Sequence, residues 1–392
     1  MREAVIVETS RTPLAKSFKG SLNLTRPDDT AAMAIRDLMD KVPQLEPEDV
    51  EDVIMGCSLP EGPQGFNVAR RAAILAGLPV TTAGITTNRF CATGLENVVL
   101  ATNEVLGGAE VVIAGGVESM SMLFKSYNKE GIFNPVLEEI KPSIHLGMGQ
   151  TAEVVARRYG ITREMQDEFA FVSQMRTAAA QKEGKFDEEI FPVKGKRGVE
   201  AENGSVQEVD FELNRDEANR PNTTLEGLAT LKPVFEENGT VTAGNTCPMA
   251  DGAGVNLVMS AEKAAALGIQ PLGIMRGYAI VGCEPDEMGI GPVFAVPKLL
   301  ERSGLKLDDI DLIELNEAFA AQVVYVRDRL ELDPEKLNVN GGALSVGHAD
   351  GMTGSRLVGT ILHELRRRGG RFGLVTMCVG GGMGAAGLVE RI

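Results

Sequence analysis

Short apolar runs alternate with stretches of helical periodicity over most of this chain. The run Ala4-Val5-Ile6-Val7 begins almost at the first residue and reads as a strand. Val53-Ile54-Met55 reads as another and is followed by a helical pattern near 66–76. Val111-Val112-Ile113-Ala114 follows a longer helical pattern from about 94 to 106. This alternation predicts α/β layering. An internal echo adds to it. In the first half, the turn Asn88-Arg89-Phe90-Cys91 precedes a helix, and a strand then ends in Gly115-Gly116. In the second half, the glycine-rich stretch from Gly341 to His348 precedes a helix near 354–367. The strand Gly373-Leu374-Val375-Thr376-Met377 then ends in Cys378-Val379-Gly380-Gly381-Gly382. Two similar halves place Cys91 and His348 at matching turns, near a pseudo-two-fold axis. Between the halves, 153–182 is helical by pattern, while 191–238 is charged, polar and poor in periodicity, and reads as a loop domain or cap.

At 392 residues the chain is long enough for two or three domains of about 150 residues each. Such a length buries a large core without disulfides or a structural metal. The net charge of −16 argues against a nucleic-acid partner, which needs clustered cations. An anionic ligand would need local basic groups or helix N-termini, because the overall field repels it. The five cysteines are widely spaced and form no C-x-x-C pair, and no two of the three histidines have i, i+4 spacing. Neither a disulfide scaffold nor a metal site is expected. No leader peptide, peroxisomal address or membrane-spanning run is read from the sequence, so the expectation is a soluble protein of a reducing cytoplasm.

Four places carry candidate chemistry. Cys91 stands where a helix begins, and the oriented N–H groups there favour a thiolate. A buried structural cysteine reads equally well from the residue alone. His348 sits in a glycine-flanked turn that suits ligand contact better than packing. Cys378 opens a glycine loop whose N–H groups could face an oxyanion or a phosphate. The loop lacks the Lys-Ser/Thr ending of a P-loop. Asn316 follows the strand Leu312-Ile313-Glu314-Leu315, where its simplest reading is a helix N-cap.

Taken together and in this order, these segments resemble the thiolases, the acetyl-CoA acyltransferases. The resemblance rests on Asn88-Arg89-Phe90-Cys91-Ala92-Thr93-Gly94, on Asn316-Glu317-Ala318-Phe319-Ala320, on Asn338-Val339-Asn340-Gly341-Gly342-Ala343 running on to Gly347-His348, and on Cys378-Val379-Gly380-Gly381-Gly382-Met383-Gly384. Weaker matches are Arg11-Thr12-Pro13, Met148-Gly149-Gln150-Thr151-Ala152-Glu153 and Gly244-Asn245 with Asp251-Gly252-Ala253. The resemblance implies a five-layered α-β-α-β-α sandwich of two similar halves plus a loop domain. The halves would be 1–119 with 244–270, carrying the nucleophile, and 271–392, carrying the histidine and the second cysteine. The loop domain for CoA binding would be 120–243. The resemblance further implies Cys91 as nucleophile, Cys378 as acid/base, His348 as activator of the nucleophile and Asn316 as holder of an oxyanion-hole water. The backbone N–H groups of Cys91 and Gly380 would form a second oxyanion hole. Arg220, Met148 and Cys247 would contact substrate or CoA. No cofactor is implied beyond coenzyme A as substrate. The implied partners are acyl-CoA, CoA and further copies of the chain, in a homodimer or homotetramer.

One departure stands out. Relatives usually have Pro and then an apolar or aromatic residue after the histidine, whereas Ala349 and Asp350 follow His348 here. Ala loses the fixed turn geometry, and the Asp350 carboxylate would raise the imidazole's proton affinity. Biosynthetic acetoacetyl-CoA thiolases often carry His before the Met-Gly of the loop domain, where this chain has Gly147. That points to thiolysis of a 3-ketoacyl-CoA longer than acetoacetyl-CoA. The alternatives are an acetoacetyl-CoA thiolase and a catalytically weak acyl-CoA-binding protein. A ketoacyl synthase would need His or Asn where Cys378 stands.

Overall fold

The computed structural model describes residues 2–201 and 203–392. The first half runs β1 (Ala4–Arg11), α1 (Pro27–Lys41), β2 (Asp52–Gly56), α2 (Val68–Ala76), β3 (Ile85–Thr87), α3 (Thr93–Gly107) and β4 (Val111–Ser119). The middle segment carries α4 (Met148–Tyr159), α5 (Arg163–Lys182) and the hairpin of β5 (Val193–Glu200) and β6 (Val206–Leu213). There follow β7 (Ala250–Ser260), β8 (Gly273–Gly282), α6 (Pro292–Ser303), β9 (Leu312–Leu315), α7 (Ala320–Leu330), α8 (Asp350–Arg368), β10 (Phe372–Val379) and β11 (Met383–Arg391).

The strands pair in the order β9-β10-β11-β8-β1-β7-β4-β2-β3. β1 and β8 meet at one pair, Ile6 opposite Gly273, so the path divides there into two sheets. In the first, β2 is parallel to β3 and β4, and β7 is antiparallel to β4 and β1. In the second, β9 is parallel to β10, and β11 is antiparallel to β10 and β8. The echo in the sequence is an echo of topology. Even the short β3 has a counterpart in the parallel bridge between Ile313 and Leu337 beside β9.

Successive side chains along a strand point to opposite faces. Along β4, Val111 and Ile113 pack with Ile35, Leu38, Ala69 and Ala72 of α1 and α2. Val112 and Ala114 pack instead with α3 and α8. Along β10, Leu374 meets Ala295, Leu299 and Val323 of α6 and α7, while Val375 and Met377 join α3 and α8. The layers are therefore α1 with α2, a sheet, α3 with α8, a sheet, and α6 with α7: the expected α-β-α-β-α sandwich. Leu95, Val98 and Val105 of α3, with Leu357, Ile361 and Leu365 of α8, fill the central layer between both sheets. Each such side chain is worth roughly 1.5–3 kcal/mol of burial.

Four local expectations are corrected. The helix expected over 153–182 is two helices, α4 and α5. Gly160, at φ 68°, ends α4 with its N–H on the Ala156 carbonyl. The polar stretch 191–238 contains the β5–β6 hairpin, whose residues are mostly exposed on both faces and so show no alternation. The helix expected from 354 begins at Asp350, immediately after the histidine turn. The strand expected to end at Gly115-Gly116 continues to Ser119. A Cβ on Gly116 would overlap the Gly351 carbonyl, so this glycine lets α8 approach rather than ending the strand. A Cβ on Gly94 would lie 2.5 Å from the Ser355 nitrogen, and one on Gly354 would overlap the Leu95 nitrogen. The helices that follow Cys91 and His348 thus touch backbone to backbone.

Candidate active site

Cys91 lies in a single 3₁₀ turn, Phe90–Ala92, that leads into α3. Phe90 is held in the left-handed region at φ 45°, a costly conformation for a bulky residue. Three hydrogen bonds hold it there. Its N–H donates to Asn88 Oδ1 at 2.7 Å, the Arg89 N–H donates to Thr93 Oγ1 at 2.8 Å, and the Thr93 hydroxyl donates to the Phe90 carbonyl at 2.8 Å. The Cys91 side chain ends up buried at the junction of the two halves.

His348 is fixed first through its backbone. Its N–H donates to the Pro248 carbonyl at 2.9 Å, and its carbonyl accepts from the Ala250 N–H at 3.0 Å. The ring is then held from both sides. Nδ1 lies 2.7 Å from Thr353 Oγ1, whose own hydrogen goes to the Ala349 carbonyl at 3.0 Å. Thr353 therefore accepts, and Nδ1 carries a proton. Nε2 faces Asp350 Oδ1 at 3.0 Å and Asn316 Nδ2 at 3.3 Å. The ligating atoms of Cys91, His348 and Asp350 all lie within 4.8 Å of one another. Within this cluster the protonated imidazole and the Asp350 carboxylate form an ion pair.

Asn316 is not an N-cap. That place before α7 belongs to Phe319, and the Asn316 side chain turns to the imidazole instead. Its Oδ1 is fully buried and has no partner among the described residues, so it can still accept a hydrogen bond. The next residue, Glu317, accepts from Asn338 Nδ2 at 2.8 Å, the Ser173 hydroxyl at 2.7 Å and the Leu344 N–H at 3.1 Å. Asn338 also pairs with both backbone groups of Leu315 at 2.8 Å. Glu317 and Asn338 thereby tie the strand end to the glycine-rich loop that delivers His348.

Cys378 closes β10 and packs against Ala152, Met288 and Phe319. The turn after it places Gly380 so that a Cβ would sit 3.6 Å from the Phe90 ring, beside the turn that carries Cys91. Cys247 is held by its N–H on the Ala318 carbonyl at 3.0 Å, and its sulfur acts electrostatically on Cys378. The structure thus brings Cys91, His348, Asn316, Cys378, Cys247 and Gly380 together. Arg220 lies apart, exposed, lining a small pocket with Gln174, Leu228, Gly244, Pro248 and Leu344. Its guanidinium makes no ion pair among the described residues. Met148 begins α4 and is 39% exposed. The His145 and Phe133 rings lie 4.6 Å apart with their planes tilted by 55°, and His363 bonds Thr9 at 3.0 Å. Thr353 is the residue that sequence reasoning passed over. Its only signal was its place five residues beyond the histidine, on the first turns of a helix that was expected to start later.

The expectation of a stabilised thiolate is corrected by the electrostatics. Burial pushes the Cys91 thiol up, the Asp350 carboxylate adds to this, and the imidazole opposes it; the result is about 11. Burial likewise pushes Cys378 up to about 12, with Cys247 and Cys283 adding to it. For His348 burial works against the cation, but Asp350 and the Cys91 sulfur outweigh it and raise the imidazole to about 10. A helix terminus contributes at most about 2 kcal/mol to an anion, which burial and a facing carboxylate exceed here. The resting site holds two neutral thiols and a protonated imidazole. Among the described residues no helix is long and apolar enough to cross a membrane.

The family model "Thiolase, N-terminal domain" matches residues 4–262, and "Thiolase, C-terminal domain" matches 269–391. The chain is 46% identical over 391 residues to the 3-ketoacyl-CoA thiolase of Bacillus subtilis, covering 100% of both chains. Among solved structures, the Bacillus anthracis acetyl-CoA acetyltransferase is similar at a TM-score of 0.88 and 38% identity, covering 100% of this chain and 99% of that one. Human mitochondrial 3-ketoacyl-CoA thiolase is similar at 0.88 and 36%, with the same coverage.

Proposed function

The chain belongs to the thiolase family of acyltransferases, and from that premise we propose that it cleaves 3-ketoacyl-CoA to acetyl-CoA and a shortened acyl-CoA through a thioester on Cys91. The observation that carries the residue assignment is the meeting of Cys91, His348, Asn316 and Cys378, drawn from both halves, at one buried point. The imidazolium first loses its Nε2 proton to solvent; the Cys91 sulfur then attacks the 3-keto carbon as its own proton passes to the freed Nε2. The bond between C2 and C3 breaks, and its electron pair becomes the enolate of acetyl-CoA. Cys378 gives its proton to C2 and is left as a thiolate. The incoming CoA thiol then loses its proton to Cys378 and attacks the acyl-Cys91 carbonyl, and the departing Cys91 sulfur takes its proton back from His348 Nε2. Each step develops negative charge on an oxygen. A buried donor facing such an oxygen is typically worth on the order of 3 kcal/mol. The imidazole with Asn316, and the N–H groups of Cys91 and Gly380, are the donors of this reading. No prosthetic group is needed, because the two thiols handle both the acyl group and the protons.

Arg220 is the proposed anchor for a CoA phosphate, supported by its unpaired charge beside a pocket that shares Pro248 with the His348 backbone contact. Met148 and Cys247 are the further proposed contacts. The domain limits 1–119 with 244–270, 120–243 and 271–392 belong to the same proposal. A homodimer or homotetramer is supported by the open edge at β3, where Ile85 is half exposed, and by Phe66, which is 95% exposed. A cytoplasmic location completes it. A substrate as short as acetoacetyl-CoA is the second reading, favoured by the likeness to an acetyl-CoA acetyltransferase. One assay decides: CoA-dependent loss of 3-ketoacyl-thioester absorbance over a series from C4 upward. An optimum beyond C4 is expected, with no turnover by Cys91→Ala. An optimum at C4 would replace the first reading by the second, and no turnover at any length would refute both.

A further inference from the structure

The Asp350 carboxylate stands on the wrong nitrogen to be a helper of the usual kind. In a Cys-His-acid relay, the acid holds one ring nitrogen and leaves the other free for the sulfur. Here the outer nitrogen, Nδ1, is already held by Thr353 at 2.7 Å. Asp350 faces Nε2 at 3.0 Å and Asn316 faces the same nitrogen at 3.3 Å, while the Cys91 sulfur lies within 4.8 Å of both the imidazole and the carboxylate. Carboxylate and sulfur compete for one proton position.

We propose that Asp350 is a positioning residue that clamps His348 Nε2 and must release it before Cys91 can be acylated. The inference rests on the acyl-transfer reading of the site. Three observations support it. First, the carboxylate occupies the donor that a thioester or keto oxygen would use, so an incoming carbonyl has to displace it. Second, Asp350 opens α8, where an anion is favoured, which helps to keep it in place. Third, its side chain is 26% exposed against 6% for His348, so it has room to swing outward while the ring stays pinned. The other titratable groups around this contact are Cys91 from the 3₁₀ turn, Cys378 from β10, Cys247 from the segment before β7, and Glu118 from β4. Of these, Cys91 when ionised also raises the imidazole, so thiolate and Asp350 carboxylate are rival partners of the imidazolium. Asp350 acts on Cys91 in the same sense as burial, by disfavouring the thiolate.

The clamp predicts an unusual sign. Removing an acid from beside a catalytic histidine commonly slows an enzyme, whereas here it should free the nucleophile. The test is the rate of Cys91 alkylation by iodoacetamide against pH, read at the Cys91 peptide by mass spectrometry, for the wild type, Asp350→Asn and Asp350→Leu. Asn keeps a hydrogen-bond acceptor and loses the charge; Leu loses both. The expected result is a midpoint moved to lower pH in both variants, further in Leu, with Cys91 alkylated about tenfold faster at neutral pH, the change that one pKa unit produces. Acetylation by acetyl-CoA should show a lower KM in both. A midpoint that is unchanged or moved upward in both variants overturns the proposal. So does slower alkylation, which would make Asp350 a helper of the thiol. Alkylation needs no thioester substrate. If the wild type is inert in thiolysis and the two variants still move the Cys91 midpoint to lower pH, the enzymatic reading fails and the clamp stands.

Discussion

Thr353→Val removes one hydroxyl and keeps the shape of the side chain. In the native site that oxygen accepts from His348 Nδ1 at 2.7 Å and donates to the Ala349 carbonyl at 3.0 Å. Both residues are buried, with Thr353 1% and His348 5% exposed. No water is expected to take the hydroxyl's place, because valine fills the same volume. The Nδ1–H is left facing a methyl group, and an unsatisfied buried donor costs about 1–3 kcal/mol. That cost falls on the ring orientation used for catalysis, so it should appear in the acylation rate as a loss of roughly 5- to 150-fold. The assay is rapid-quench acetylation by acetyl-CoA, with the acetyl group on Cys91 read by mass spectrometry. Urea unfolding of the same samples should show a stability loss of about 1–3 kcal/mol. Thr353→Ser keeps the hydroxyl and should restore most of the rate. An acylation rate within twofold of the wild type, together with a clear loss of stability, would refute the reasoning. It would mean that Thr353 supports the first turn of α8 and leaves the imidazole to orient itself.

Cys378→Ala should still form acyl-Cys91 from acetyl-CoA but should not break or make the carbon–carbon bond; loss of acylation in a folded variant, seen by the same mass measurement, would sink its proposed role. Gly94→Ala should push α3 away from α8, because a Cβ there lies 2.5 Å from the Ser355 nitrogen where ordinary contact begins at 3.4 Å. A displacement near 1 Å can cost a rate on the order of 100-fold, so kcat should fall more than the stability loss of about 1–3 kcal/mol would suggest. Wild-type thiolysis kinetics in that variant would show that the two helices do not set the spacing. Burial, with Asp350 adding to it, raises the Glu118 carboxyl to about 7. A carboxyl raised in the folded state keeps its proton to higher pH than in the unfolded chain. Its contribution is therefore present at acid pH and is lost as pH rises from about 4.5 to 7, by on the order of 3 kcal/mol. Thermal melts across that window should show the fall in the wild type and a flatter profile in Glu118→Gln, whatever that variant's absolute stability; parallel profiles would contradict the assignment.

What the sequence made legible was local. The turn at Asn88-Arg89-Phe90-Cys91 and the glycine run before His348 carry their own short-range signals, and they emerged at matching points of the two halves. The apolar runs of β4 and β10 were visible because each strand has an apolar partner on both faces. Features that depend on distant partners were not visible. Asn316 looked like a cap because its contact with His348 exists only once β9 and the 341–348 loop are side by side. Thr353 looked like one more small polar residue in a glycine-rich stretch. The start of α8 was hidden because Gly351 and Gly354 lower local helix propensity, and their reason for being there is the approach of β4 and α3. Gly160 was masked inside an otherwise continuous helical pattern. The β5–β6 hairpin gave no alternation because most of both its faces is exposed, only the end pair Val193 and Leu213 being buried.

The glycine contacts between α3 and α8 bear on how this protein can change over generations. Side chains at a helix crossing normally set the distance, and replacing one resets it. At the start of these two helices peptide groups meet directly, and peptide groups are the same whatever sequence surrounds them. The gap between the sulfur and the imidazole is therefore buffered against substitution nearly everywhere else in the layer. Random variation can rework the outer helices, the hairpin and the acidic surface without altering that gap. The tolerance ends at a few positions, Gly94, Gly116, Gly351 and Gly354, where one added methyl group reaches the chemistry.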